Sequence, residues 1–285
     1  SMADKTADEE STMNMAKLLD DRWLKVQGLS LKEGAHKPNS TFCVMEAVAF
    51  VAGEKWSDSP ECACPVISSF LRNWNDSLPS DAERDRLLKG LIPRLVNTRS
   101  TTAIAQRRAF LALDWLIRVH TPKWLDLRPD LQIHASVLRG LDEIADLAGA
   151  TAAGIKIRAA GAAATAAAWD AAWDAAWDAA GYDARASAGD AAWTAARAAA
   201  GYAAGAAAGD AAGAAARAAA GAAAGAAAWA AAGDAVWGAA GAAARDAAKK
   251  FLQPTTEWLQ VSALELVERM ISTQPEIQGY FQRPS

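Results

Sequence analysis

Cys43, His36 and Glu46 are the residues whose types could support nucleophilic catalysis. A helix is predicted to begin near Ser40 and to run through Cys43 to Val51, and the dipole at a helix N-terminus lowers the pKa of a thiol. Either His36 or Glu46 could then serve as the base for a cysteine nucleophile. The residues around Cys43 are apolar, so a buried, unreactive thiol is the alternative interpretation.

A second set of residues has the types of a zinc site with one imidazole and three thiolates. Its members are His36, Cys43, Cys62 and Cys64. Cys62 and Cys64 are separated by one residue, which is closer than the usual spacing of paired zinc ligands. Buried thiols are therefore the favoured interpretation, and the sequence predicts no metal or other cofactor.

Four carboxylates lie around the same predicted helices and could form a metal or acid-base site. They are Glu46, Glu54, Asp58 and Asp76. Spacing along the chain does not show that they converge, and carboxylates more often cap helices or face solvent. His120 and His134 each stand alone beside apolar helices, so we interpret them as hydrogen-bonded polar groups rather than ligands.

A third candidate site lies in the alanine-rich half of the chain. Trp169, Trp173, Trp177, Arg185 and Arg197 could form a stacking pocket for a nucleobase, with arginine on phosphate. Asp170 and Asp174 follow two of the tryptophans and must face water, a cation or a ligand, since like charges four residues apart repel in a helix. Packing of tryptophan against glycine in the protein interior is the competing interpretation.

These tryptophans belong to a repeat in which every fourth residue from Trp169 to Lys249 is Trp, Gly, Arg or Lys, with mostly alanine between. Alanine favours helix, and glycine at every fourth position lets helix axes approach closely. Four residues turn an α-helix by ~400°, so the stripe drifts ~40° with each repeat and forms no single straight face. We expect several shorter close-packed helices with breaks near 181–183, 200–202 and 221–233.

Apolar residues at helical spacing, with no alternating strand pattern, predict an all-α fold. The expected organisation is a disordered tail at 1–11, a compact domain of about six helices at 12–149, the repeat at 150–252, and a C-terminal helix and tail at 253–285. Pro254 is expected to break the chain before an amphipathic helix from Thr256 to Ser272. A helix from Leu131 to Leu147 is expected to turn an apolar stripe inward, made of Ile133, Val137, Leu138, Leu141 and Ile144.

The net charge of −4 argues against a protein that binds duplex nucleic acid through broad neutralisation of phosphates. Three cysteines are too few for a disulfide framework, and the start of the sequence lacks the apolar run of a signal peptide. The longest uncharged run of the repeat is too short, and too poor in leucine and isoleucine, to span a membrane. The sequence therefore predicts a cytoplasmic protein without a membrane partner.

The segment CVMEAVAFVAGEKWSDSPECACPVISSFLRNWND, followed by RRAFLALDWLIRVHTPKWLDL, resembles a family of uncharacterised proteins from actinobacteria and their phages. The resemblance covers about residues 30–128 and the style of the repeat, in which members carry alanine-rich tetrads with Trp-Asp. It implies a phage or prophage setting within a bacterial host cell. The label of immunity protein given to some members implies a role in conflict between phage and host, but the family brings no established activity, cofactor or catalytic residue.

Three functions follow as hypotheses. The first is a non-enzymatic binding protein, a phage or prophage inhibitor or immunity factor that engages a host protein or a small nucleotide signal. The second is an enzyme that uses Cys43, or a metal held by the cysteines. The third is a structural or ice-binding protein, which the lack of a regular threonine array disfavours. The first hypothesis is favoured because the chain carries an elaborate repeat and no coherent set of catalytic residues. The sequence also allows the protein to form a homo-oligomer.

Overall fold

A computed structural model describes residues 20–38, 40–174 and 241–273. These residues contain helices and no strand, apart from an isolated bridge between Leu31 and Phe42. The predicted all-α class is therefore confirmed for the described part of the chain. The expected disorder at 1–11 and the expected helix breaks within the repeat lie outside the described residues. None of the described helices is long and apolar enough to cross a membrane.

The helices are numbered here in chain order. The α-helices are α1 (20–27), α2 (Val44–Ala52), α3 (Pro65–Ser77), α4 (Asp81–Leu88), α5 (Ile92–Leu95), α6 (Thr102–Trp115), α7 (Thr121–Leu125), α8 (Gln132–Arg139), α9 (Leu147–Asp174) and α10 (Gly241–Ser272). Short 3-10 turns at Lys89–Leu91 and Pro129–Leu131 precede α5 and α8, and a π-helical turn at Leu116–His120 joins α6 to α7. The chain up to Arg139 thus holds more and shorter helices than the six expected.

Helix α2 is the central helix of the core, as its apolar sequence predicts, and nearly all of its side chains are buried. It ends at Gly53, which has a φ of 78° and donates its N–H to carbonyls of the last turn. The guanidinium of Arg22 lies so close that a Cβ at Gly53 would fall 2.1 Å from its Nη1. The left-handed backbone therefore favours glycine, whereas the Arg22 guanidinium lies at the end of a flexible side chain that can move aside.

The ends of the next helices follow local sequence signals. Pro65 occupies the first turn of α3, and the Ser80 hydroxyl accepts a hydrogen bond from Glu83 N to cap α4. Pro93 follows the apolar residues of α4 in sequence, and a proline there predicts a kinked or shortened helix. It lies in the first turn of α5, after a 3-10 turn has separated α5 from α4.

A π-helical turn lies where the sequence predicts one continuous helix from Thr102 to Val119. Pro122 follows it, in the first turn of α7, and proline can neither donate a backbone hydrogen bond nor tolerate the carbonyl four residues earlier. The wider turn fits proline into the helical path, and the Thr121 hydroxyl donates to Leu116 O at 2.9 Å.

The expected helix from Leu131 to Leu147 is wrong in its length and only partly right in its inner face, because Leu138 and Ile144 are buried and Leu141 is half-buried, whereas Ile133 and Val137 are not. Helix α8 ends at Arg139, and the following segment is fixed by Ile144 N, which donates to the buried Asp114 carboxylate at 2.9 Å. The side of α8 that packs inward carries Ala135 and Leu138. Ile133 and Val137 lie on the opposite side with 66% and 40% of their surface exposed. Spacing alone could not choose between these two faces.

The expected break at Pro254 is also wrong, because α10 continues through that residue. An interior proline costs about 3 kcal/mol, which burial of flanking side chains can offset. Leu252 and Thr255 are buried on either side of Pro254, and Leu259, Leu266 and Met270 join the same core as the helices of residues 44–139. The C-terminal helix therefore packs against α6 and α7, and residues 175–240 connect two helices that contact one core.

Arg108 holds the end of α10 against α6. Its side chain is buried, and its three donors reach backbone carbonyls: Nε reaches Met270 O at 2.7 Å, Nη1 reaches Thr98 O at 2.5 Å and Nη2 reaches Thr273 O at 3.0 Å. Met270 and Thr273 lie at the C-terminal end of α10, where unpaired carbonyls and the helix dipole favour a cation. Closer to the middle of α10, Trp115 Nε1 donates to Ser262 Oγ at 2.8 Å.

His120 is buried between Trp115 and Trp124. Its Nε2 accepts a hydrogen bond from Trp124 Nε1 at 3.3 Å, and its Nδ1 has no hydrogen-bond partner among the described residues. Burial of the ring lowers the pKa of His120 from 6.5 to about 3. The expected hydrogen-bonded histidine is thus present with one of its two nitrogens unsatisfied.

Replacement of Arg108 by methionine keeps most of the apolar stem but removes all three donors. Three carbonyls then lose their hydrogen bond from Arg108, and among the described residues only Met270 O keeps another donor, Thr273 N at 3.3 Å, so we expect the free energy of unfolding to fall by about 3 kcal/mol. The neighbouring Arg107 is exposed, and Arg107→Met is the matched control. Urea unfolding at pH 7 measures both variants. Equal stability of the two would contradict the role given to Arg108.

Acidification should destabilise the fold through His120. Below pH 6.5 the unfolded chain binds a proton at this residue, whereas the folded chain does not until the pH approaches 3. Stability therefore falls as the pH drops through this window, by about 2 kcal/mol from this residue at pH 5. Urea unfolding at pH 7 and pH 5 should show a smaller loss for His120→Gln than for the wild type. His134→Gln, at a half-buried histidine, should behave as the wild type does.

Candidate functional site

The candidate site lies at the N-terminus of α2, where the loop of residues 31–43 meets the loop after Gly53. Cys43 is the N-cap residue of α2, and Glu46 lies in its first turn with its side chain buried. The 31–43 loop brings His36 to this point, and the second loop brings Trp56. The structure thus places His36, Cys43 and Glu46 together, and adds an indole that the sequence did not single out.

The Glu46 carboxylate accepts four hydrogen bonds. Oε1 accepts from His36 N at 2.6 Å and from Trp56 Nε1 at 3.3 Å. Oε2 accepts from Cys43 N at 2.8 Å and from His36 Nδ1 at 2.9 Å. A carboxylate that accepts from two backbone N–H groups and an indole acts as an acceptor, so the His36 ring donates from Nδ1. We call these four residues, His36, Cys43, Glu46 and Trp56, the Glu46 cluster.

The thiol of Cys43 is not activated in this setting, and the expected lowering of its pKa is wrong. Burial raises the pKa of Cys43 from 9.0 to about 12, and the charge of Glu46 adds to the effect. The helix N-terminus acts in the opposite direction, because Glu46 N donates to Cys43 Sγ at 3.5 Å, but burial outweighs it. A thiol with this pKa stays protonated at neutral pH and is a poor nucleophile or metal ligand.

The contact between His36 and Glu46 is the feature of the cluster closest to an enzyme. A carboxylate that accepts from Nδ1 orients an imidazole as in the triads of hydrolases. Such a base needs a nucleophile within hydrogen-bond reach, and Cys43 already uses its sulfur to cap α2. Trp56 further donates to both His36 O, at 2.9 Å, and Glu46. The cluster therefore closes two loops onto the core helix rather than presenting an activated group.

The other three carboxylates do not join Glu46. Glu54 accepts from the backbone N–H groups of Glu61 and Cys62, both at 2.7 Å, and so closes the loop between α2 and α3. Asp58 forms an ion pair with Arg72. Asp76 accepts from Gly34 N at 2.8 Å. Each carboxylate thus fixes a separate segment.

The proposed zinc ligands are also dispersed among structural contacts. Cys64 is the buried residue before α3, and its N–H donates to Thr98 Oγ1 at 3.0 Å. Cys62 is half-buried, and burial raises the pKa of its thiol. Within the described residues, no group of three or more His, Cys, Asp or Glu side chains could hold a metal ion. The four residues proposed as zinc ligands lie in this described part.

Asn75 is a buried residue that sequence reasoning missed. Its Oδ1 accepts from Val44 N at 3.2 Å, and its Nδ2 donates to Lys32 O at 2.8 Å and to Asp76 Oδ1 at 2.9 Å. It thereby joins α3 to the start of α2 and to the 31–43 loop. An amide beside Trp74 in an otherwise apolar stripe was the available signal, because a buried amide requires partners.

The candidate site of the repeat lies largely outside the described residues. The backbone of α9 runs as one helix through Trp169, Asp170, Trp173 and Asp174, but their side chains are not among those described. Trp177, Arg185 and Arg197 lie outside the described residues altogether. The stacking pocket and the packing of tryptophan against glycine both stay predictions.

Replacement of Glu46 by glutamine tests the structural role of the cluster. The amide presents an NH₂ group to donors that previously met an oxygen, so buried N–H groups lose their acceptor. We expect a loss of about 2–3 kcal/mol in the free energy of unfolding. Glu143→Gln, at an exposed carboxylate, is the control. If the Glu46→Gln protein were as stable as this control in urea unfolding, the Glu46 cluster would contribute nothing to the stability of the fold.

Comparison with models of known protein families, with curated proteins and with solved structures finds no match to this chain. No activity therefore comes to the Glu46 cluster from a relative. The resemblance to the actinobacterial and phage family stays a prediction.

Proposed function

We propose that this chain is a non-enzymatic binding protein. The observation that carries the proposal is the state of the Glu46 cluster, where the residues best suited to catalysis are engaged in holding loops. The carboxylate accepts four hydrogen bonds, and the pKa of the Cys43 thiol is raised to about 12. Helices α1–α8 and the part of α10 that packs against them form the folded part that we call the base. Its helices are joined by many hydrogen bonds, which suits a protein that presents a surface rather than one that turns over a substrate.

The proposed setting is a phage or prophage protein acting in the bacterial cytoplasm as an inhibitor or immunity factor. It rests on the resemblance of residues 30–128 to the actinobacterial and phage family. In the segment that carries the resemblance, Cys43, Glu46, Gly53 and Glu54 each cap a helix or close a loop. Such residues would keep the base folded while the recognising surface varies.

The proposed partner is a host protein rather than a nucleotide. Ile133 and Val137 form an exposed apolar pair on successive turns of α8, with 66% and 40% of their surface accessible. Contiguous exposed apolar groups favour contact with another protein.

Phage plating on bacterial strains that express the chain tests this function. Each strain should carry one defence system, and we expect the chain to change plating efficiency against at least one of them. Cys43→Ala and His36→Ala variants should keep the effect if they fold, because neither residue performs chemistry. Circular dichroism provides the control for folding.

Two results would count against the proposal. An unchanged plating efficiency across the panel would remove the phage role. Loss of the effect in a folded Cys43→Ala variant would favour the enzyme instead. Thermal shift with cyclic nucleotides separates the partner classes, since a saturable stabilisation would move the proposal from a host protein to a nucleotide signal.

A further inference from the structure

Helix α10 carries an apolar stripe on the side that faces away from the core. Phe251, Trp258 and Val261 are 44%, 46% and 54% exposed, and Pro254 lies between them. Their spacing of three and four residues places them along one face of the helix. The opposite face holds Leu252, Leu259 and the other buried residues, so the stripe is an outer surface of the base.

Charged residues lie at the two ends of this stripe with opposite signs. Lys250 is exposed at its start and Glu265 is exposed at its end, and neither forms an ion pair within the described residues. Near the middle of the stripe, the Lys123 ammonium of α7 lies 4.8 Å from the centre of the Trp258 ring. The residue before Trp258 is the exposed Glu257. The face is therefore basic at one end, acidic at the other and mixed at its centre.

We propose that this face binds the same face of a second copy of the chain, with the two α10 helices antiparallel about a twofold axis near Trp258. A twofold contact is self-complementary, so each pairing occurs twice. An axis between Glu257 and Trp258 sets Lys250 opposite Glu265 of the second copy. It also sets Pro254 opposite Val261, and Phe251 opposite the half-buried Leu264.

The central charges fit the same arrangement. Each Lys123 lies on its own Trp258 and so comes close to Glu257 of the second copy, which offsets the approach of the two Glu257 carboxylates. Lys250 and Glu265 are ~22 Å apart along the helix, so their pairing fixes the register as well as the direction. The other exposed large apolar residues of the described part lie outside α10: Leu24 on α1, Leu29 after α1, Ile133 and Val137 on α8, and Ile155 on α9.

Sedimentation equilibrium of the full chain tests the dimer at concentrations up to about 100 µM, a range in which small interfaces associate. The wild type should show a monomer–dimer equilibrium, and Trp258→Glu should weaken it about tenfold or more. Ile155→Glu places the same charge on an exposed position outside the face and should leave the equilibrium unchanged. Because both positions are exposed, neither substitution disturbs the core.

Charge reversal tests the antiparallel pairing itself. Lys250→Glu and Glu265→Lys should each weaken self-association, because each sets like charges against one another. The double variant should recover the dimer, and so should an equimolar mixture of the two single variants, in which every facing pair is again opposite in sign. Low salt should enlarge these differences.

A monomer throughout the concentration range would overturn the proposal and leave the face to a different protein. A dimer that is indifferent to Trp258→Glu would place the interface elsewhere. A dimer that Trp258→Glu disrupts, but that the mixture fails to restore, would rule out the antiparallel register.

Discussion

Two buried charged side chains, Glu46 and Arg108, hold the described fold together largely through hydrogen bonds to the backbone. The Glu46 carboxylate accepts hydrogen bonds from two loops at the start of α2. The Arg108 guanidinium donates to carbonyls at the end of α10 and to Thr98 O, in the segment after α5. Each meets the unpaired groups that a helix leaves at the matching end, a carboxylate at the N-terminus and a cation at the C-terminus. Short helices, with little apolar area each, gain their relative positions from such contacts.

Local signals in the sequence predict much of this architecture. Gly53, Pro65 and Ser80 mark helix ends that the structure contains, because capping is decided within a few residues. The exposure of Ile133 and Val137 on α8 and the path of α10 through Pro254 are decided by distant partners, and there the predictions fail. The role of Arg108 could not be predicted from the sequence, because two of its acceptors, Met270 O and Thr273 O, come after the repeat in the chain.

The candidate site shows the same division between residue type and environment. Their residue types and short spacing made His36, Cys43 and Glu46 candidates for a catalytic site, and the fold places them in contact. Their chemistry depends on burial, which no spacing reveals, and burial turns the thiol from a candidate nucleophile into a capping group. Trp56 and Asn75 add tertiary hydrogen bonds at the start of α2, and these could not be predicted from the sequence.

The position of α10 ties the base to translation of the whole repeat. Because Leu259, Leu266 and Met270 complete a core built mainly from residues encoded before the repeat, a ribosome must read through residues 175–240 before that core can close. A shift of reading frame anywhere in that repetitive stretch removes α10, and with it two of the three carbonyls that Arg108 contacts. Gain or loss of whole tetrads keeps the reading frame, so such a change in repeat length leaves the sequence of α10 unaltered.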